Sequence, residues 1–186
     1  MAAEFSFKPE TGAAVFSALS PNSTYHGNLR DTRRLLRAVR AGQPKESIRV
    51  STYHNNRDKA WAIATGADPL KLIIYPKTRN FFMNICDPDD PRWVTVDGHI
   101  FNAWTGVRIP LKGAAMKMNF KVYDQIADDI RAVGRQKSII ANQAQAIIWI
   151  TWRRMNGIKF SAQREFWSLE AEAAGIPFHI YSEPLT

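Results

Sequence analysis

Apolar residues in this chain recur mostly at intervals of three and four, the spacing that lines one face of a helix. In "NLRDTRRLLRAVRAG" (28–42), Leu29, Thr32, Leu36 and Val39 share a side, and Gly42 ends the run. "GAAVFSAL" (12–19) is a shorter helical or apolar element halted by Pro21. "NRDKAWAIATG" (56–66) stops at a glycine, as a helix C-cap does. "PKTRNFFMNI" (76–85) places Thr78, Phe81, Phe82 and Ile85 together, with Pro76 suited to a first turn. Asp97 opens the next helix and Gly106 closes it. "NFKVYDQIADDIRAVG" (119–134) keeps Val122, Ile126, Ile130 and Val133 in register. "NQAQAIIWITWRRMNG" (142–157) starts at a capping Asn and is apolar around most of its girth, as a central helix would be. "SAQREFWSLEAEAAG" (161–175) reads as a further helix from a Ser cap to a Gly stop.

Strand candidates are few: "SIRVST" (47–52), "WVTV" (93–96) and "FHIY" (178–181). "DPDDPR" (87–92) is a turn-rich loop, and neither a repeat nor a linker interrupts the pattern. The expected class is all-α. With 186 residues, 45% of them hydrophobic, the chain suits one compact domain, or two small lobes sharing a core.

The formal charge of +8 is spread through ordered-looking segments, which points to a polyanionic partner, nucleic acid above all. One cysteine, Cys86, excludes an internal disulfide and multi-cysteine metal centres, and favours a reducing, cytoplasmic setting. The histidines at 26, 54, 99 and 179 form no ligand motif, so no metal and no cofactor is expected. No apolar run approaches the ~20 residues of a bilayer span, so no membrane is expected as a partner. "MAAEFSFKPETG" lacks the basic start and apolar stretch of a secretory signal.

Two residues carry candidate chemistry. Asp97 sits between the apolar "WVTV" and the helix-spaced Ile100, Ala103 and Trp104. One reading is an ordinary N-cap; the other is a carboxylate beside a low-dielectric wall, placed to stabilise a cation or orient a water. Lys77 lies one turn before an aromatic face, with Lys71 and Arg79 nearby. It is either solvated or a lysine made nucleophilic by its surroundings. The arginines at 30, 33, 34, 37 and 40 form either a solvated face or a surface that tracks a phosphate backbone. Tyr25, Tyr53 and Trp61 are expected as core or edge packing, not as base-stacking platforms. Gln143 and Gln145 are either satisfied amides or readers of a base edge.

Three segments, in order, resemble the helix–hairpin–helix DNA glycosylases of the endonuclease III type. "VFSALSPNSTYHGN" (15–28) is similar to the early helix and turn that faces DNA, which implies a DNA contact at Asn22. "YPKTRNFFMNI" (75–85) is similar to the second hairpin helix, with Lys77-Thr78 as its lysine–threonine pair. "VTVDGHIF" (94–101) resembles the catalytic-acid segment, with Asp97 in the acid's place and His99 retained, which implies a DNA contact at His99. "IIWITWRR" (147–154) matches a late core helix. The resemblance covers about residues 13–157 and departs at the hairpin turn, where "KLIIY" (71–75) has no glycine, so Lys71 or Arg79 would grip the phosphate by charge.

That resemblance implies a helix–hairpin–helix fold of two helical lobes flanking a cleft, within a single domain 1–186, with lobes at 28–134 and at 1–27 plus 135–186. It implies a monomer, cytoplasmic or nucleoid-associated, that acts on double-stranded DNA by excising a flipped-out base. Asp97 would stabilise the cationic sugar and Lys77 would attack C1′, giving lyase ability. Two alternatives stay open: a phage-type enzyme that decorates thymine by displacing pyrophosphate from an activated base, and a non-catalytic DNA-binding relative.

Overall fold

The computed structural model describes residues 1–111 and 118–158. Among them every regular element is helical: α1 (Pro9–Leu19), α2 (Tyr25–Arg40), α3 (His54–Ala64), α4 (Pro69–Leu72), α5 (Pro76–Cys86), α6 (Gly98–Thr105), α7 (Phe120–Gln136) and α8 (Ala141–Met155). Short 3-10 turns at Ala3–Phe5 and Lys45–Ser47 complete the described chain. None of these helices is long and apolar enough to cross a membrane. The sequence candidates at 161–175 and 178–181 lie outside the described residues.

Local chemistry sets the helix ends. Thr24 caps α2 by accepting from Gly27 N at 3.1 Å, and Asn119 caps α7 by accepting from Val122 N at 3.0 Å. Proline occupies the first turn of α1, α4 and α5, where its missing N–H costs no helix bond. Gly106 ends α6 at φ +70°, a conformation that other residues rarely adopt. Gly134 serves a different need: a Cβ there would meet Ile139 O at 3.0 Å, so the end of α7 packs directly on the turn into α8.

The chain forms two compact units, Met1–Trp149 and Ile150–Thr186. The first unit contains two apolar cores. One gathers Val15, Leu19, Leu35, Leu36, Ile63 and Phe82 from α1, α2, α3 and α5, with Ile73 from the end of α4. The other gathers Val94, Val96, Ile100, Tyr123, Ile126 and Ile130 around α6 and α7. In chain order the buried residues of the first core end at Phe82 and those of the second begin at Val94. In the second unit, the described residues finish α8 and turn at Gly157, φ +62°.

No strand forms among the described residues, so the candidates at 47–52 and 93–96 are corrected. Their backbone groups find side chains in place of a neighbouring strand. Ser51 N donates to the buried Asp31 carboxylate at 2.5 Å, and Arg34 donates to Arg49 O at 2.8 Å. In the later segment Val94 and Val96 are fully buried, while Val94 O accepts from Asn80 and Tyr123, and Val96 N donates to Tyr123 Oη. Alternation of valine and polar residues thus reports one-sided burial, which does not require a sheet.

Candidate functional site

Asp97 stands at the N-terminus of α6 in an extended conformation, φ −111° and ψ −177°. Its Oδ1 accepts from His99 N and from Ile100 N, both at 2.9 Å, satisfying two of the donors a helix start leaves open. Its Oδ2 accepts the indole N–H of Trp149, on α8, at 3.0 Å. The N-cap reading is therefore correct as geometry. The carboxylate is also half-buried and fixed in direction, since three N–H groups from two helices hold it. The His99 ring meets Trp149 edge to face, with centroids 5.9 Å apart.

Lys77 lies in the first turn of α5 with an exposed side chain. It lines a pocket of about 330 Å³ with Pro21, Tyr53, Asn56, Lys59, Tyr75 and Thr78. Asp97 is not among the residues lining that pocket. Four hydrogen bonds fix the position of α5. Ser17 on α1 donates its hydroxyl to Thr78 O at 2.5 Å. On the opposite side, Asn80 Nδ2 donates to Val94 O at 2.8 Å and to Tyr123 Oη at 3.2 Å, and Asn84 Nδ2 donates to Thr95 Oγ1 at 3.0 Å.

Lys77, Asn80 and Asn84 follow the i, i+3, i+7 spacing of one helix face. That face meets the segment Val94–Val96, which leads directly into Asp97. Tyr123 is the hub of the joint: its hydroxyl donates to Val94 O at 2.9 Å and accepts from Val96 N at 3.0 Å. Burial is the main cause that pushes its phenol up to about 12, so the group stays neutral and keeps donating.

The other predicted residues are dispersed. Asn22 is exposed in the turn between α1 and α2, in the left-handed region at φ +57°. Lys71 is exposed on α4, and Arg79 is half-buried on α5. Asp97 and His99 share the start of α6, whereas Asn22, Lys71 and Lys77 belong to the other core's surface.

A family model covers residues 1–156, which is most of the 186-residue chain and spans α1 through α8. The chain belongs to DUF7178, a family of unknown function. No curated protein and no solved structure matches it. In this DUF7178 chain every candidate residue, from Asn22 to His99, lies inside the matched span.

The arginine row of the DUF7178 chain is anchored from within. Arg30 and Arg34 lie 3.6 Å from Asp31, Arg33 lies 3.8 Å from Glu4, and Arg37 covers the Phe5 ring at 5.6 Å. These contacts give four of the arginines structural work that the sequence reading left open. Tyr25 packs edge-on against Phe16 and Trp61 packs on the first core, as expected. Tyr53 departs from its expected place at a core edge: it is 61% exposed. Helical periodicity missed it because Tyr53 precedes α3, where no face is defined. Trp149, Asn80 and Tyr123 were missed for another reason: each partners a residue distant in sequence, and no spacing rule records that.

Proposed function

We propose that this protein acts on DNA as a base-excision enzyme with lyase ability, Asp97 and Lys77 serving one sugar ring. The observation that carries the reading is the tie between α5 and the segment entering α6. Asn80, one turn after Lys77 on the same helix face, holds Val94 O at 2.8 Å and shares Tyr123 Oη with Val96 N. The helix that carries Lys77 is thereby tied to the run that leads into Asp97. The resemblance of 15–28, 75–85 and 94–101 to helix–hairpin–helix glycosylases supplies the reaction class.

In that reaction the glycosidic bond breaks and its electron pair leaves with the base, which takes up a proton. Positive charge builds on the sugar, and a carboxylate with a fixed direction stabilises it. The free amine of Lys77 then forms a bond to C1′, its proton passing to solvent, and ring opening yields an iminium. β-Elimination from that iminium cleaves the strand on the 3′ side. The net charge of +8 favours approach to a polyanion.

Borohydride trapping on a duplex with an abasic or damaged site tests the reading. A covalent adduct is expected from the wild type and none from Lys77→Ala. An adduct undiminished by that change removes the role of Lys77, and base release retained in Asp97→Asn removes the role of the acid. A second reading on the same fold, decoration of an activated thymine with loss of pyrophosphate, draws on the pocket that sets Lys59 and Lys77 together, since paired cations suit a diphosphate. Nucleoside mass spectrometry separates the two: a free base supports excision and a heavier nucleoside supports decoration.

A further inference from the structure

The pocket that Lys77 lines has further residues that the excision chemistry does not use. Tyr53 is 61% exposed and Tyr75 58% exposed, and neighbouring Ile74 is 60% exposed. Isolated exposed apolar residues need no explanation, but two tyrosine rings at the rim of one cavity form a patch of the kind that marks a binding surface. Cations are set among the rings. Lys59 Nζ sits over the Tyr75 ring at 5.4 Å from its centroid, and Lys77 lines the same cavity. Asn56 contributes a side-chain amide whose nitrogen donates to Thr52 Oγ1 at 2.8 Å, so its position is fixed.

A ligand complementary to this lining is flat, aromatic and anionic. Faces of tyrosine attract planar rings regardless of their substituents, while the lysines attract a phosphate. Both tyrosines also directly precede helices, α3 and α5, whose first turns have no side-chain cap, which adds to the positive field. The pocket, about 330 Å³, falls in the size range of small-ligand sites and accommodates one ring system. A base inside duplex DNA has its faces covered by its neighbours and cannot offer them. We infer that Tyr53 and Tyr75 form a stacking platform for an unpaired nucleotide, so that the protein engages single-stranded or locally opened DNA through this pocket. This inference rests on the proposal that DNA is the substrate, and it adds the strand state that is recognised.

Fluorescence anisotropy with a labelled oligothymidine, and with the same label in an intact duplex, tests it. Tighter binding to the single strand is expected. Tyr53→Ala and Tyr75→Ala should each weaken that binding about tenfold, the usual effect of losing one stacked base. Tyr53→Phe and Tyr75→Phe should restore it, because the ring and not the hydroxyl is the contact. Both positions are exposed, so circular dichroism should register no loss of fold. Binding that is indifferent to either ring, or equal loss in the Phe and Ala variants, overturns the platform. The two proposals fail separately. Ring-dependent binding that persists in Asp97→Asn while wild type releases no base overturns excision alone; a Lys77-dependent adduct with ring-independent binding overturns the platform alone.

Discussion

Trp149 donates its indole N–H to Asp97 Oδ2 at 3.0 Å, so the middle of α8 holds the residue that begins α6. The other oxygen of Asp97 is bound by His99 N and Ile100 N, and the three donors leave the side chain little freedom. Asp97→Ala removes a cap and a charge-assisted hydrogen bond together, with an expected loss of about 2 kcal/mol or more. Trp149→Phe loses the N–H together with the pyrrole part of the indole, so about 1 kcal/mol for the bond is joined by a packing loss in the second core. Urea denaturation of both single variants and the double should give non-additive losses, since the two changes remove a shared bond. Strict additivity would deny the coupling.

Tyr123→Phe leaves Val96 N without its acceptor inside the second core and takes a donor from Val94 O. The expected cost is about 1–3 kcal/mol, with faster amide exchange at Val96. Alkali probes the same group. The phenol is pushed from 10.0 up to about 12 chiefly by burial, so its neutral form is favoured in the fold. A raised value in the folded state means that the contribution is complete below pH 10 and disappears as pH rises towards 12. Phenolate absorbance should therefore show one late tyrosine whose ionisation coincides with unfolding, absent in Tyr123→Phe.

Asp90 responds at the other end of the scale. Hydrogen bonds from the Arg92 side chain, then its backbone N–H, hold the carboxyl down at about 2, against an ordinary 3.8. The Arg92 guanidinium grips both oxygens, at 2.9, 3.0 and 2.6 Å. A lowered value means that the stabilisation is present above 3.8 and is lost as pH falls through 2. In an acid titration followed by circular dichroism, Asp90→Asn should unfold with a shallower pH dependence over that interval than the wild type.

Salt dependence separates the two basic surfaces. Lys59 and Lys77 line the pocket, whereas Arg34 is bound to Arg49 O at 2.8 Å and lies beside Asp31. Lys59→Ala and Lys77→Ala should each lower the slope of log K against log salt by about 1 for DNA binding. Arg34→Ala should leave that slope unchanged and lower the melting temperature. A slope altered by Arg34→Ala but not by the lysines would move the interface to α2.

Helix positions were largely legible in the sequence. The periodic runs at 28–42, 76–85 and 119–134 fall within or against α2, α5 and α7, because one-sided burial imposes its period directly on side-chain choice. Asp97 and Gly106 were legible as helix ends for a similar reason: a cap is a local requirement. The 93–96 segment misled because alternate burial is shared by strands and by an extended run lodged against a helix. The pocket at Tyr53 and Tyr75 was not legible at all. Its lining comes from α1, α3, α4 and α5 and the turns beside them, and only their packing determines that two residues standing outside helices face a common space.

The polar stripe on α5 has a mechanical consequence. Apolar contacts tolerate small rotations, whereas a hydrogen bond weakens steeply once its donor and acceptor swing out of line. Asn80, Asn84, Thr95 and Tyr123 therefore act as a register key between α5 and the run that enters α6. Sliding α5 along that run would unpair the amides of Asn80 and Asn84, so a single alignment keeps every bond.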